Sequence, residues 1–168
     1  MDPRLQRLID RQEILDVLQQ YAHAADRADE PRLVDVYHPQ SWDNHGSYKG
    51  DGRAFAKRVC ENSGERETMS HLMGQSQITV DGDSAGAETY FNATIQRLVD
   101  DVHYIDMRGG RYVDKLERRD GQWRILDRIC TCEWSFTTLV EDEWHERGEF
   151  VQGTFDRSDV SYRVLGLV

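Results

Sequence analysis

A chain of 168 residues with a formal net charge of −10 is sized for a single domain, 1–168, able to bury roughly 70% of its unfolded surface, which suffices for a core with an internal pocket. The negative balance repels a phosphate backbone, and Arg118-Arg119 sits in acidic surroundings and is too short for a basic patch, so no nucleic-acid partner is expected. No stretch approaches the ~18 apolar residues of a membrane span. The opening Met-Asp-Pro-Arg-Leu lacks the charged-then-apolar pattern of a secretion signal. Of three cysteines, Cys130 and Cys132 are too close for a normal disulfide, and no CxxC pair suggests zinc. With no glycine-rich phosphate loop and no clustered ligand spacing, neither metal nor cofactor is expected. Reduced thiols fit a cytoplasmic protein.

The chain opens with a predicted helix. Asp10 and Glu13 resemble a capping box, and Ile14, Leu18, Tyr21, Ala22 and Ala25 recur at helical spacing. A second short helix starts at Pro31, with Asp29 as its cap and Leu33, Val34 and Tyr37 turned inward. A third begins near Asp51 and buries Phe55 and Val59.

From about residue 68 the pattern becomes extended. Ile78-Thr-Val80 runs into Asp81-Gly82-Asp83, a hairpin signal. Ser84 to Val99 alternates Ala85, Ala87, Thr89, Phe91, Ala93 and Ile95 against Glu88, Tyr90, Asn92 and Thr94. Gly109-Gly110 interrupts the next run, which continues through Tyr112 to Arg119. Asp120-Gly121 makes a tight turn, and Trp123 to Trp134 forms the last strand. Helices first and an antiparallel sheet after them predict an α+β fold, with the helices packed on one face of a curved sheet. The core spans about 8–136, and 137–168 is an extension, acidic and aromatic by turns (Trp144, Phe150, Phe155, Tyr162), packing on the domain or on a neighbour.

Asp26 is the first residue whose position needs a reason. At ~100° per residue it lies within about 20° of Leu15 and 40° of Ala22, on the apolar stripe. A carboxylate there is costly unless paired; the alternative is that the helix frays at Ala25 and Asp26 ends it in solvent. Among six histidines, His23, His38, His103 and His145 read as surface residues. His45, in Trp42-Asp43-Asn44-His45-Gly46, lies on a loop that can approach a pocket mouth. His71 enters a strand among apolar neighbours, where an imidazole is commonly a satisfied core residue. A partner changes that: a buried carboxylate fixes tautomer and orientation and leaves the second nitrogen to take a proton.

Three stretches in order resemble a known family. Ile14-Leu-Asp-Val-Leu-Gln-Gln-Tyr21-Ala22 with Asp26 and Asp29 resembles the first helix of SnoaL-like proteins in the nuclear transport factor 2-like superfamily. His71, then Ile78 through Ala85 and Glu88-Thr-Tyr-Phe91, resembles the family's hairpin; Gly110 through Ile125 resembles its closing strands. The resemblance implies a deep cone-shaped barrel of helices over a curved sheet. It also implies kinship with scytalone dehydratase, bile acid dehydratases, hexachlorocyclohexane dehydrochlorinase and formaldehyde-releasing diarylpropane lyases. Several of these use a histidine–aspartate pair at the positions of Asp26 and His71, and Tyr21 matches a pocket tyrosine of the bile acid dehydratases. The second, sheet-borne histidine of scytalone dehydratase has no counterpart among Tyr90, Asn92 and Thr94. A homo-oligomer, trimer before dimer, is implied as well.

The resulting expectation is a cofactor-independent lyase for a small, ring-containing substrate. His71 is the base, Asp26 orients it, and Tyr21, Tyr48, Asn92 or Arg111 helps the leaving group. Tyr21, Trp42, Phe55, Phe91 and Trp134 are the expected aromatic lining, with Tyr90 beside them. Arg111 either enters the pocket or pairs with Glu88 or Glu117; Glu88 is either a second pocket acid or half of that pair. The alternatives are an isomerase returning the proton to the same skeleton, and a ligand-binding or subunit-interaction domain without turnover.

Overall fold

In a computed structural model, which describes residues 2–141 and 149–167, the first helix, α1, runs Pro3–Asp26 and starts a full two turns before Asp10. Asp2 caps it by accepting from the Arg4 amide at 2.8 Å, with Pro3 in the first turn, where its missing N–H costs nothing. Asp10 therefore does not cap; it is buried inside the helix and bound by Arg118 at 2.5 Å and Gln6 at 3.0 Å. Ile14, Leu18, Tyr21, Ala22 and Ala25 face the core as their spacing predicts. The short α2, Glu30–Asp35, is capped by Asp29 and buries Leu33. Each fully buried aliphatic side chain of this kind contributes about 1.5–3 kcal/mol.

Tyr37 does not extend α2. It opens β1, Tyr37–Asn44, which is followed by β2, Lys49–Asp51, and α3, Gly52–Glu61, capped by Asp51. Four long strands follow: β3 Thr68–Asp81, β4 Ser84–Val99, β5 Val102–Arg119 and β6 Gln122–Cys130. The last elements are β7, Trp134–Leu139, and α4, Val160–Leu165. Sheet order is β2-β1-β6-β5-β4-β3, with β7 also on β5. The α+β class and helix-first order match the sequence-based expectation, but the sheet is mixed and open: β1 lies parallel to β6.

Gly109-Gly110 does not interrupt β5. It marks the place where β6 hands its position beside β5 to β7. A Cβ at Gly110 would sit 2.0 Å from the Thr131 carbonyl oxygen, and one at Gly109 2.2 Å from the Trp134 ring, so only glycine lets the crossing chain approach. Trp134 accordingly starts a separate strand instead of ending β6.

The free edge of β3 is covered by side chains of α1. Arg11 donates to the Ile78 carbonyl, Arg27 donates to the Met69 carbonyl at 3.1 Å, and Asp26 Oδ2 accepts from the His71 amide at 2.8 Å. The C-terminal segment returns to this same corner. Arg157 and the Tyr162 hydroxyl both bind Asp29, and Arg27 pairs with Asp159 at 3.0 Å. The expected tail thus packs on its own chain; Trp144 and His145 lie outside the described residues. Among those described, no helix is long and apolar enough to cross a membrane.

Candidate active site

The wider part of the sheet, α1 and α3 enclose a cavity of about 260 Å³. Its wall is aromatic: Tyr21 from α1, Phe55 from α3, Phe91 from β4, Tyr112 from β5 and Tyr48 after the β1 turn. Phe91 stacks on Tyr112 with centroids 4.2 Å apart, and Tyr21 meets Tyr112 edge-on at 5.3 Å. Such pairs hold each other's rotamers and keep the lining rigid.

Asp26 ends α1 and His71 lies on β3, so helix–sheet packing brings together residues 45 apart. Asp26 Oδ1 lies 2.6 Å from His71 Nδ1, and the histidine side chain is only 4% exposed. With Oδ2 on the His71 amide, one carboxylate fixes both the ring and its backbone. Nδ1–H donates to Asp26, and Nε2 has no partner among the described residues. An imidazole in that state is ready to accept a proton.

A second imidazole faces the same cavity. His45 Nδ1 is 2.5 Å from Asp43 Oδ1, and the fully buried Asp43 also accepts from the Tyr37 hydroxyl at 2.7 Å. His45 stacks on Phe55 at 4.1 Å, and its Nε2 lies 3.4 Å from the Tyr21 hydroxyl. Burial lowers the His45 pKa below the ordinary imidazole value, more than Asp43 restores it. Burial likewise pushes the Tyr21 phenol well up, so Tyr21 holds its proton at neutral pH, and raises the Cys130 thiol to about 11. Beneath them Arg128 pairs doubly with Asp114 at 2.7 Å and lies 4.1 and 4.2 Å from the Tyr21 and Tyr112 ring centres. One of its terminal nitrogens has no hydrogen bond and faces π density instead. Among the described residues, no group of three or more histidine, cysteine or acidic side chains is placed to hold a metal.

The SnoaL-like domain model matches residues 6–129. The chain belongs to the SnoaL-like domain family. Solved structures place this SnoaL-like domain in the same fold at low identity. Hexachlorocyclohexane dehydrochlorinase LinA-type3 from Novosphingobium barchaimii LL02 is 18% identical with a TM-score of 0.70, over 82% of this chain and 94% of that one. A candidate scytalone dehydratase from Novosphingobium aromaticivorans DSM 12444 is 19% identical with a TM-score of 0.68, over 82% and 91%. A candidate aromatic ring hydroxylase from Novosphingobium aromaticivorans is 20% identical with a TM-score of 0.68, over 79% and 94%. Three differently named relatives on one architecture show the fold and leave activity to the site. Among curated protein sequences, none matches this chain significantly.

The SnoaL-like cavity takes in Tyr21, Tyr48, Phe55, His71 and Phe91 of the residues proposed from sequence, with Asp26 behind His71. It leaves out Trp42, Glu88, Tyr90, Asn92, Arg111 and Trp134. Strand parity explains this: on β4 the odd residues Phe91, Ala93 and Ile95 point inward, which turns Glu88, Tyr90 and Asn92 to the outer face. Trp42, Tyr90 and Trp134 are 49%, 43% and 41% exposed there. Arg111 takes the pairing alternative, held by Glu88 at 2.8 Å and Glu133 at 2.7 Å; Glu117 binds Arg119 instead.

Sequence reasoning missed Asp43 as the anchor of His45. Its signal was the i, i+2 spacing of an acid and a histidine in an extended segment, where both side chains share a face. His38 and His23 are not surface residues either. His38 is buried, with Nε2 at 2.9 Å from the Glu117 carbonyl, and His23 is held between Arg32 and Ser161. His103 is half-buried, 2.7 Å from Glu67.

Proposed function

We propose that this SnoaL-like domain, taken as one unit over 1–168, is a cofactor-independent lyase acting on a small, ring-containing apolar molecule in the cytoplasm. The observation that carries the reading is the 2.6 Å Asp26–His71 contact in the wall of an aromatic cavity. His71 Nε2 takes a proton from carbon or from a substrate hydroxyl. Asp26 holds the ring's tautomer and stabilises the imidazolium as it forms. Hydroxide leaves as water with a proton from Tyr21 or Tyr48, and a halide leaves as its anion. In the formaldehyde-releasing case His71 takes the hydroxymethyl proton and the carbon leaves as neutral formaldehyde. The electron pair of the broken C–C bond then expels a group from the neighbouring carbon or takes a proton from the tyrosine. Tyr21 is the better placed, because Tyr112 and Arg128 hold its ring and His45 lies against its hydroxyl. General base catalysis typically supplies ~10²–10⁴-fold. The buried dipoles around Tyr21 and the Arg128–Asp114 pair beneath it add a preorganised field.

Self-association fits the outer face, where Leu72, Tyr90, Val113, Ile129 and Trp134 are exposed together. A homo-oligomer, trimer before dimer, would cover it; sedimentation showing only monomer would remove that part.

The chemistry is tested by mass spectrometry on γ-hexachlorocyclohexane and a panel of aryl β-hydroxy compounds. Loss of chloride, water or formaldehyde supports the lyase, an isomeric product supports the isomerase, and no conversion of any compound supports a binding domain. On a turned-over compound, His71→Ala should lower kcat by at least about 10²–10⁴-fold with the fold retained. Asp26→Asn should lower kcat more than it weakens binding. Full activity in both variants would sink the dyad.

A further inference from the structure

Chemistry explains the cavity's two imidazoles, but not its charge. Three guanidiniums, Arg58, Arg66 and Arg108, line it, and among the described residues the lining contains no carboxylate: Asp26 and Asp43 both sit behind their histidines. In a chain of net charge −10 this is a reversal of sign. Most other arginines have an acid to bind, among them Arg27, Arg97, Arg111, Arg118, Arg124 and Arg157. Arg66 is half-buried, and its one side-chain hydrogen bond among the described residues is to the Met69 sulfur at 3.0 Å. Burial works against its charge, and Glu65 answers only at a distance. Arg58 and Arg108 have no side-chain hydrogen bond to any described residue. Asp106, which attracts Arg108 electrostatically, already binds Arg97 and Thr137.

We infer that this cavity selects an anionic substrate, an aromatic body bearing a carboxylate, with Arg66 and Arg108 binding the acid group at the mouth while the ring lies against Phe55, Phe91 and Tyr112. A guanidinium's planar fork matches a carboxylate in two parallel hydrogen bonds. A partly desolvated, unpaired cation gains most from such a partner because little of its hydration remains to be lost. Positive potential at the mouth of an otherwise acidic surface also draws an anion to that one place. The assignment rests on reading this cavity as the substrate site; it narrows the apolar ring compound of that reading to one that carries an acid group, and it names what the site reads rather than how it reacts.

The test is equilibrium binding by titration calorimetry, with 2-naphthoate and its neutral isostere 2-naphthamide as probes on the full chain. Hydrogen bonds to charged groups correspond to about a tenfold to hundredfold preference for the acid, weakening as salt rises. Arg66→Gln/Arg108→Gln should abolish that preference while naphthamide affinity stays unchanged. Arg108→Gln alone, at an exposed position, should halve the preference or more if the double variant fails to fold, and Arg119→Gln should leave it intact. Equal or tighter binding of the amide, no binding of either probe, or a preference that survives in the arginine variants would overturn the inference. His71→Ala separates this from the lyase reading: it should keep the acid preference whatever it does to turnover.

Discussion

The two faces of β4 and β5 carry similar residues in different physical states. Inward, Asp114 and Arg128 form an ion pair with both side chains 0% exposed, under the stacked Phe91 and Tyr112. Outward, three residues earlier on β5, Arg111 pairs with Glu88 at 29% and 38% exposure, beside Tyr90 and Trp134. Desolvation separates them. Charges removed from water depend strongly on their partner, whereas charges left in it are screened and nearly independent. An acid–arginine pair on a strand therefore says little until the strand's parity is known.

Breaking the inner pair should have the largest effect. Arg128→Met leaves Asp114 buried and uncompensated and is expected to cost about 3–5 kcal/mol in urea unfolding; adding Asp114→Leu should recover most of it. A loss under 1 kcal/mol for the single variant would show that water reaches the pair. Next is Tyr37→Phe, which removes the buried donor to Asp43. Hydrogen bonds to charged groups of this kind are worth about 1.5–3 kcal/mol, and the Tm should fall accordingly.

A gentler contrast comes from pH. Burial depresses the His45 pKa below its unfolded value near 6.5. Between those two values the unfolded chain binds a proton that the folded chain refuses, so stability rises with pH. The contribution is present above about pH 6.5 and is lost as pH falls through the folded value. Urea midpoints at pH 5 and pH 7.5 should draw closer together in His45→Gln. Some slope should remain, since burial and the neighbouring Arg32 and Arg27 depress His23 in the same sense. Smallest of all, Arg111→Gln should change stability by no more than about 1 kcal/mol and leave turnover untouched. That figure is for the free chain; a larger effect that rises with protein concentration would put Arg111 inside the contact between copies proposed for this face.

These contrasts also explain what could be read from the sequence. Helix spacing located Asp26 on a buried stripe, and a carboxylate in that position requires a partner; His71 was the histidine on an apolar strand, and the two do touch. Alternation in β4 was equally visible, yet both faces carry aromatic and polar groups, so composition alone did not say which one looks into the cavity. The sequence therefore offers Tyr90 and Asn92 as pocket residues and leaves Glu88 open between the pocket and an ion pair. β1 was hidden more deeply. Tyr37 to Asn44 contains Pro39 and no alternation, and it is ordered by parallel pairing with β6, some 80 residues later. Only once that strand is recognised does the i, i+2 spacing of Asp43 and His45 put both side chains on one face.

The dressing of the β3 edge bears on how copies of this protein can meet. Arg11, Arg27 and Asp26 occupy main-chain groups on the strand's outer side, so an incoming peptide finds those positions already spoken for. Continuous cross-chain β-pairing through β3, and the runaway fibrous growth that bare borders invite, are thereby disfavoured. Self-association of the kind proposed above would then use the exposed apolar surface outside β4 and β5, where packing of shapes would set the stoichiometry and growth could stop at a closed ring.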